Sequence, residues 1–501
     1  MTLLDLALVA AYLASVVAAG AWFSRRQKTT KQYFTGGGHV PWWAVAASIV
    51  ATETSAISFI SVPGAAYARG GNLAFLQLVI GYLLGRLVVS WLFIPSYFRG
   101  ELLTVYQLLE SRFGSGVKGA LAALFVGMRC IADGVRLLLT ATVLFAVWDA
   151  FFPGSDRAIA IPCCAAGLGA VMILFTLWGG MEAVIWIEVV QLGVYLAGAL
   201  AAAAVLITKI PGGFEGAIEI GSRFEKWSWL QTAWTLDRSA GHTLWAGLIG
   251  GCFLTMSTHG TDQYLVQRYL CVEGPRRATA ALLASGVVVF LQFAMFLGIG
   301  VLLFAHFRPF EQPSYGTGAA AAPFARTDEV FPAFITRELP PGIGGLVVAA
   351  ILAAALSSSL NSIAATTVND LIRPLTGIRD DRHGLRLSKG ITVAAGIVQI
   401  AVAAAMFHSQ QSALDSALTV ASILNGPVLG VFLLGTWTKR PGALAAIGGI
   451  AVGTAVVCLV WLRPAWWRAA FGELDLFWPW YTAVGALTTL GAGTLLGRFH
   501  R

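Results

Sequence analysis

Long apolar segments follow one another along nearly the whole chain and are separated by short polar connections. A helix needs about 20 apolar residues to cross the hydrocarbon core of a bilayer. The pattern therefore predicts an all-α integral membrane protein with about 13 transmembrane helices. The predicted spans are 3–23, 42–68, 73–97, 117–150, 158–178, 183–208, 242–261, 278–306, 343–372, 387–408, 413–437, 442–462 and 478–498.

Composition and charge agree with this assignment. Hydrophobic residues make up 57% of the chain and charged residues 12%, which excludes a soluble domain with one or two spans. The net charge of +8 indicates basic cytoplasmic connections rather than binding to nucleic acid. Lys and Arg concentrate in alternate connections and at the C-terminus, at 25–31, 99–118, 268–277, 373–389, 439–440 and 498–501. We therefore expect a multi-pass protein of the cell inner membrane, with its N-terminus outside and its C-terminus cytoplasmic.

The second predicted span carries an unusual number of polar residues. Within 48–64 it holds Glu53, six Ser and Thr side chains and a Pro-Gly pair. An ionisable residue at membrane depth is costly, so it is a functional-site hypothesis by default. A helix interrupted at mid-membrane exposes carbonyls that can hold a cation and helix ends that can hold a substrate. The alternative is a kinked helix whose hydroxyls bond to its own backbone and whose Glu53 pairs inside the bundle.

The fourth predicted span carries three charged residues on one face. Arg129, Asp133 and Arg136 are spaced by four and three residues, which places them on one side of a helix. One Asp neutralises one Arg, so the remaining positive charge favours an anion such as a substrate carboxylate. The alternative is an internal triad completed by Glu53 or Glu188, or an Arg129 that snorkels to the cytoplasmic side.

Two further spans contain polar or helix-breaking residues. The seventh span combines glycines and hydroxyls with His259 and Asp262, and this predicts a second broken helix five spans after the first. Two broken helices at corresponding places indicate an inverted repeat with the site between its halves. Asn425, Gly426 and Pro427 predict an interruption of the eleventh span. The sequence contains no metal-ligand cluster, nucleophile motif, phosphate loop or catalytic dyad, so we do not expect an enzyme.

Four motifs together resemble the sodium:solute symporter family over nearly the whole chain. They are A-T-E-T-S-A-I-S-F-I-S-V-P-G-A-A-Y (51–67), Y-Q-L-L-E-S-R-F-G (106–114), G-T-D-Q-Y-L-V-Q-R-Y-L (260–270) and S-S-S-L-N-S-I-A-A-T-T-V-N-D-L-I-R-P (357–374). The resemblance implies a LeuT-type fold, in which one extra helix precedes two inverted five-helix repeats and two extra helices follow them. A single transporter domain, 1–501, would then consist of an N-terminal helix and linker (1–40), the first repeat (41–210), the second repeat (240–440) and two C-terminal helices (441–501).

The resemblance also implies where an ion and a substrate bind. The usual sodium site would use backbone carbonyls of Ala51, Thr54 and Ile351. A second sodium site found in some members would use Ser357, Ser358 and Glu188. The substrate pocket of similar members implies contacts from Glu53, Ser55, Ser58, Gln77, Arg136 and Asn425.

The sequence departs from the family at the usual sodium site. Ala354 and Ala355 stand where most members carry two hydroxyl side chains. A proton on Glu53 or Glu188 is therefore the alternative to sodium, because a buried carboxyl can be kept protonated by the cost of its charge.

Secondary active symport is the function that the resemblance implies. Sodium and a small organic solute would cross together by alternating access, and a carboxylate or acidic sugar is expected because sialic-acid-type members use a similar pocket. We expect a monomer whose partners are this anionic solute and the lipid bilayer. The alternatives are a proton-coupled or uncoupled carrier of the same fold, and a membrane sensor that does not transport.

Overall fold

A computed structural model describes residues 2–23, 30–54, 56–100, 102–237, 242–311, 324, 327–355, 359–377, 380–407, 413–465, 467–468, 472 and 475–499. Within these residues the backbone forms helices joined by short connections, and it contains no β-strand. An isolated antiparallel bridge joins Asp237 to Leu476. The prediction of an all-α protein is confirmed.

The helices are named here in chain order. The first half of the chain contains α1 (Leu3–Phe23), α2 (Thr30–Thr35), α3 (Trp42–Glu53), α4 (Ala56–Tyr67), α5 (Leu76–Leu92), α6 (Ile94–Tyr97), α7 (Gln107–Phe151), α8 (Arg157–Lys209), α9 (Gly213–Arg223) and α10 (Gly251–Thr261). The second half contains α11 (Gln263–Tyr269), α12 (Gly274–Phe307), α13 (Val330–Glu338), α14 (Ile343–Ala355), α15 (Leu360–Thr366), α16 (Arg373–Thr376), α17 (Asp381–Phe407), α18 (Ala413–Trp437), α19 (Ala443–Leu462) and α20 (Pro479–Phe499). Short π-helices adjoin α10 and α15, at Ala246–Gly250 and Thr367–Ile372.

Several of these helices can cross a bilayer. By length and composition, six described stretches qualify: Leu3–Trp22, Gln107–Asp149, Arg157–Lys209, Gly274–Glu311, Arg382–Phe407 and Ala443–Leu462. The bent pair α3 and α4 adds a seventh when it is counted as one span. Helical residues also occupy the other predicted spans. The total of about 13 spans stays a prediction.

Two predicted spans form a single helical run, α8. Its 53 residues would extend about 80 Å at 1.5 Å per residue, much more than the hydrocarbon core of about 30 Å. The run bends at Gly180, which has a φ of 57° and a ψ of −162°. This conformation requires glycine because L side chains are strained at positive φ. Two arms of spanning length therefore meet at one residue instead of a loop.

The second predicted span is broken, as its sequence predicts. The axes of α3 and α4 differ by 61°, and Thr54 at the end of α3 is extended, with a φ of −78° and a ψ of 108°. Pro63 lies inside α4, and Ser55 lies outside the described residues. The break removes the continuation that would supply N–H partners to the last carbonyls of α3.

A second break separates α10 from α11, also as predicted. Asp262 between them is extended, with a φ of −89° and a ψ of 117°, and its Oδ1 accepts from the N–H of Tyr264 at 2.8 Å. Asp is a favoured N-cap residue because its carboxylate satisfies an N–H that lacks an intrahelical partner. The sequence thus ends one helix and starts the next at this residue.

The predicted interruption at Asn425–Pro427 is wrong. Helix α18 runs without a break from Ala413 to Trp437, with Pro427 inside it. The glycine before this proline has a packing role, because a Cβ on Gly426 would lie 2.7 Å from the carbonyl oxygen of Thr482 in α20. The motif therefore allows two helices to approach closely, and it does not end one of them.

The terminal helices pack around the central ones. Helix α1 packs against α8 and α14, whereas α19 and α20 pack against each other and against α18. This arrangement agrees with extra helices at both ends of a core. The limits of the two repeats stay predictions.

Asp5 joins the N-terminal helix to the start of α14. Asp5 is 1% exposed, and its Oδ1 accepts hydrogen bonds from the N–H groups of Gly342 (2.8 Å) and Gly345 (2.7 Å). Its Oδ2 accepts from the N–H of Thr2 at 2.7 Å. The first N–H groups of a helix lack intrahelical acceptors and carry a partial positive charge. Asp5 is therefore a helix cap supplied by a different helix.

We expect Asp5→Ala to lower the free energy of unfolding by about 2 kcal/mol, because it removes both the cap and the charge at the helix N-terminus. The measurement is the Tm of the protein purified in detergent. Asp156→Ala is the control, because Asp156 caps α8 at an exposed position with one bond of 2.9 Å to Ala158. Equal Tm values for the two variants would contradict this role of Asp5.

A buried lysine closes the C-terminal end of α4. Lys226 is 1% exposed, and its Nζ donates to the carbonyls of Ala66 (3.0 Å), Tyr67 (3.1 Å) and Ala68 (2.5 Å). The Nζ also lies 4.2 Å from the centre of the Phe304 ring. The last carbonyls of a helix lack N–H partners and carry a partial negative charge. The connection after α9 therefore fixes one half of the broken helix.

Lys226→Met should lower the free energy of unfolding by about 2 kcal/mol, because three carbonyls lose a charged donor. Lys209→Met is the matched control, since Lys209 pairs with Glu338 at 2.9 Å near the surface and is 36% exposed. An exposed pair of this kind contributes about 0–1 kcal/mol. Thermal unfolding of both variants in one detergent compares them, and a Lys226→Met Tm at the control value would exclude the cap.

Candidate functional site

The two helix breaks are joined by buried polar side chains. Glu53 is the last residue of α3, and its Oε2 lies 2.6 Å from the Nη2 of Arg86 in α5. Its Oε1 pairs with the Nε2 of His259 in the last turn of α10. The Nδ1 of His259 bonds to the hydroxyl of Tyr269 at the end of α11. We call these four side chains the break network.

The break network is largely sealed from solvent and balanced in charge. The side chains of Arg86 and His259 are 1% and 2% exposed, and that of Glu53 is 16% exposed. A carboxylate can only accept hydrogen bonds, so the Nε2 of His259 carries a proton. The carboxylate of Glu53 and the guanidinium of Arg86 face each other with opposite charges.

A second buried ion pair links α8 to α11. Glu188 and Arg268 are each 1% exposed, and two guanidinium nitrogens lie 2.5 and 3.2 Å from the two carboxylate oxygens. Thr52 of α3 donates to Glu188 at 3.1 Å, and Ser48 of α3 also donates to it. Two other helices, α3 and α11, thus donate to this one carboxylate of α8, which accepts at both oxygens.

The third cluster contains the charged face predicted for the fourth span. Asp133 Oδ2 lies 3.2 Å from Arg129 Nε, and its Oδ1 lies 3.7 Å from Arg136 Nη1. From the sequence alone, one of the two Arg charges on this face had no carboxylate partner. In the structure Asp262 lies 3.5 Å from Arg129 and supplies the second carboxylate. Two carboxylates therefore face two guanidinium groups at the second break.

A cavity of about 570 Å³ lies beside the second break. It is bounded by α7, by the junction of α10 and α11, and by α18. Polar side chains stand among its apolar neighbours: Tyr106, Arg129, Thr261, Asp262 and Asn425. Cavities of roughly 300–1,000 Å³ with a few convergent polar groups are typical of small-molecule sites.

The predicted substrate residues lie in different parts of this region. Asn425 lines the cavity. Arg136 follows the lining residue Val135 in α7, and its Nη1 makes no hydrogen bond within the described part of the chain. Glu53 belongs to the break network, and Ser58 lies in α4. The structure does not test their contact with a solute, so these assignments stay predictions.

Gln77, another predicted substrate residue, is fully buried near the start of α5. Its Nε2 donates to the carbonyl of His242 at 2.7 Å, and its Oε1 accepts from the N–H of Gln231 at 3.1 Å. Both ends of the amide are therefore held by the connection between α9 and α10. A solute that binds Gln77 must first displace this connection.

Two of the predicted ion-binding residues, Ala51 and Thr54, lie at the first break. Ala51 and Thr54 are each 1% exposed at the end of α3, and Ile351 is 1% exposed in α14. Ser357 and Ser358 lie outside the described residues. Carbonyls at a helix end and hydroxyls suit a hard cation such as sodium. Within the described residues no group of three or more His, Cys, Asp and Glu side chains could hold a metal ion.

Three charged partners in these clusters were not predicted from the sequence: Arg86, Arg268, and Asp262, which was predicted only as part of a helix break. Each is a charged residue in or beside a predicted span. Charged residues at membrane depth pair with one another, so their presence was a signal. The identity of each partner depends on contacts between distant parts of the chain.

Comparison with known proteins matches this chain to one family model and to sodium-coupled symporters. Residues 33–453 match the model of the sodium:solute symporter family. The sodium/sialic acid symporter SiaT of Proteus mirabilis is 30% identical, across 98% of this chain and 94% of that protein. The sodium/sialic acid symporter NanT of Aliivibrio fischeri is 29% identical, across 97% of this chain and 91% of that protein.

Solved structures give the same result for the fold. The structure of a Na+-coupled sialic acid symporter in a substrate-bound, outward-open state aligns with 99% of this chain and with 98% of the symporter chain. The TM-score is 0.83 and the sequence identity is 28%. The nucleobase–cation symporter Mhp1 (TM-score 0.59, 12% identity) and MhsT in complex with L-phenylalanine (TM-score 0.56, 15% identity) share the fold alone. These neighbours have the LeuT-like architecture that the resemblance implied.

The family match spans most of the chain, and the relatives align with nearly all of it. Members of this family are membrane transporters that use sodium as the coupling ion, and they are not enzymes. The chain therefore belongs to the sodium:solute symporter family and is a sodium-coupled symporter of a small solute.

Proposed function

We propose that the solute is a small organic anion, either an acidic sugar of the sialic acid class or another carboxylate. The cavity beside the second break supports this, because the amide of Asn425 and the guanidinium of Arg129, which already pairs with Asp133 and Asp262, line it among apolar side chains. Guanidinium and amide groups bind carboxylates and hydroxyls through directed hydrogen bonds. The sialic acid symporters that align with nearly the whole chain also favour this class of solute.

Arg136 is the residue that we assign to the solute carboxylate. Its Nη1 lies 3.7 Å from Asp133, which is too far for a hydrogen bond, and makes none within the described residues. Its guanidinium therefore keeps donors for a second anion. Further contacts to the solute are assigned to Ser55, Ser58, Gln77 and Asn425.

Sodium is assigned to the first break. The proposed site consists of carbonyls of Ala51, Thr54 and Ile351, which need no charged ligand. The second proposed site consists of Ser357, Ser358 and Glu188. In this structure Arg268 is the cation beside Glu188, so an ion at the second site would have to compete with that guanidinium.

The proposed transport cycle follows from the two breaks. Sodium orders the first break, the solute then binds against it, and the loaded carrier closes on one side before it opens on the other. Coupling results because both ligands favour the same state.

We further propose about 13 spans arranged as two inverted repeats, 41–210 and 240–440. The protein is a monomer of the inner membrane, with its N-terminus outside and its C-terminus in the cytoplasm, and it has no nucleic-acid partner.

Sodium should raise the Tm of the purified protein, whereas potassium at equal ionic strength should not. A ligand at about 100 times its Kd adds roughly 2.7 kcal/mol to the free energy of unfolding when it binds only the folded state. The double variant Ser357→Ala, Ser358→Ala should need more sodium for the same shift. Ser285→Ala is the control, because this buried hydroxyl donates within its own helix to Leu282 at 2.7 Å.

An absent sodium effect, together with a Tm that depends on pH, would contradict sodium binding at these sites and favour a proton. An equal sodium response in the double variant would exclude the second site only.

Arg136→Gln should raise the KM for N-acetylneuraminic acid by about tenfold or more, the equivalent of about 1.4 kcal/mol for one lost charge-assisted contact. The assay is counterflow of the labelled sugar acid in proteoliposomes with sodium on both sides. Arg223→Gln, at the end of α9, is the matched control. Counterflow of wild type with an unchanged KM in Arg136→Gln would reject this residue, and no counterflow of any carboxylate would support a sensor that does not transport.

A further inference from the structure

Glu53 is bonded to two other helices at the point where α3 ends. We propose that it is a positioning residue for sodium: through Arg86 and His259 it holds the carbonyls at the end of α3 in the geometry that binds the ion. The inference rests on the proposed function, because it takes Ala51 and Thr54 as ligands of sodium. It adds a role for the break network that the family resemblance does not assign.

Glu53 is the last residue of α3 and lies where the helix breaks. It stands between Ala51 and Thr54, so its own peptide units lie within the short segment that offers the carbonyls. Both oxygens of its carboxylate are engaged, by Arg86 from α5 and by His259 from α10. The backbone at the break therefore cannot rotate without breaking a charged hydrogen bond.

Thr54, the next residue, is also held by neighbouring helices. The hydroxyl of Thr54 accepts from the Nε2 of Gln292 at 2.6 Å and bonds to the hydroxyl of Tyr195 at 3.3 Å. It also donates to the carbonyl of Val50 at 2.9 Å. Neighbouring residues of one break are thus fixed to α5, α8, α10 and α12. Such a framework reduces the reorganisation that ion binding would otherwise require.

Stability alone does not explain the ion pair of Glu53 and Arg86. A buried ion pair is often no more stabilising than apolar side chains of similar volume. Arg86 is 1% exposed, and within the described residues its Nε and Nη1 have no hydrogen-bond partner. Glu53 therefore carries the compensation of this buried charge almost alone. An arrangement this costly favours a functional role.

The break network reaches the second break through His259. His259 lies three residues before Asp262, which caps α11 and lines the cavity. A change at the first break is therefore transmitted through one carboxylate to the helix end beside the proposed solute site. Two sites that bias one shared element are coupled by that element.

The test uses a pair of substitutions, because Glu53→Gln alone leaves Arg86 as an unpaired buried cation and can prevent folding. The double variant Glu53→Gln, Arg86→Gln removes both charges at similar volume. Sodium is titrated without solute, and the concentration that gives half of the maximal rise in Tm is recorded. We expect this concentration to increase by about tenfold or more in the double variant.

Two further variants complete the design. Glu53→Asp keeps the charge balance but shortens the side chain, so it should fold and should shift the half-maximal sodium concentration in the same direction. If the double variant does not fold, Glu53→Asp alone tests the positioning role of Glu53. The control is Lys209→Gln with Glu338→Gln, which removes an ion pair of 2.9 Å that contacts neither break.

The possible outcomes separate the inference from the proposed function. An unchanged sodium titration in the folded variants would overturn the positioning role and leave the sodium site intact. A raised solute KM with an unchanged sodium titration would overturn it as well and assign Glu53 to the solute. No sodium response in wild type would reject the sodium site itself, and the positioning role with it.

Discussion

Compensation of charge inside an apolar bundle is the constraint on which this structure depends. An unpaired ion in such surroundings costs several kcal/mol, so each buried charge needs a partner and the partner needs a fixed place. Three balanced clusters result, Glu53 with Arg86, Glu188 with Arg268, and Asp133 and Asp262 with Arg129 and Arg136. Each cluster joins a broken helix to a continuous one. The charges thus hold together the parts of the molecule that lack regular backbone hydrogen bonds.

The clusters also explain why the interrupted helices can exist. A helix end inside a membrane exposes carbonyls or N–H groups that lipid cannot satisfy. Here Asp262 satisfies an N–H at the start of α11, and the ammonium of Lys226 satisfies carbonyls at the end of α4. The end of α3 is where we propose that sodium binds, so its carbonyls are the ones left for a ligand in that proposal.

The sequence predicted the helices and both breaks because these depend on local properties, namely the length of apolar segments and the capping preference of Asp262. The predicted interruption at Pro427 is wrong because tertiary packing determines the structure there. Helix α18 stays continuous, and Gly426 allows α20 to approach it closely. The sequence also identified charged residues without their partners. Arg86 is 33 residues from Glu53, and Arg268 is 80 residues from Glu188. Nothing in a local pattern specifies such pairs, and the balance of charge at Arg129 emerged only with the fold.

The amide of Gln77 has a consequence for selectivity. Its donor and its acceptor are already bonded to the backbone of the connection that covers it. A solute that reaches Gln77 exchanges two existing hydrogen bonds for two new ones, so the exchange is nearly neutral in energy for a matching solute. A solute without both a donor and an acceptor in the right places pays for each bond that it cannot replace. At this position the protein would reject unsuitable molecules far more strongly than it attracts suitable ones.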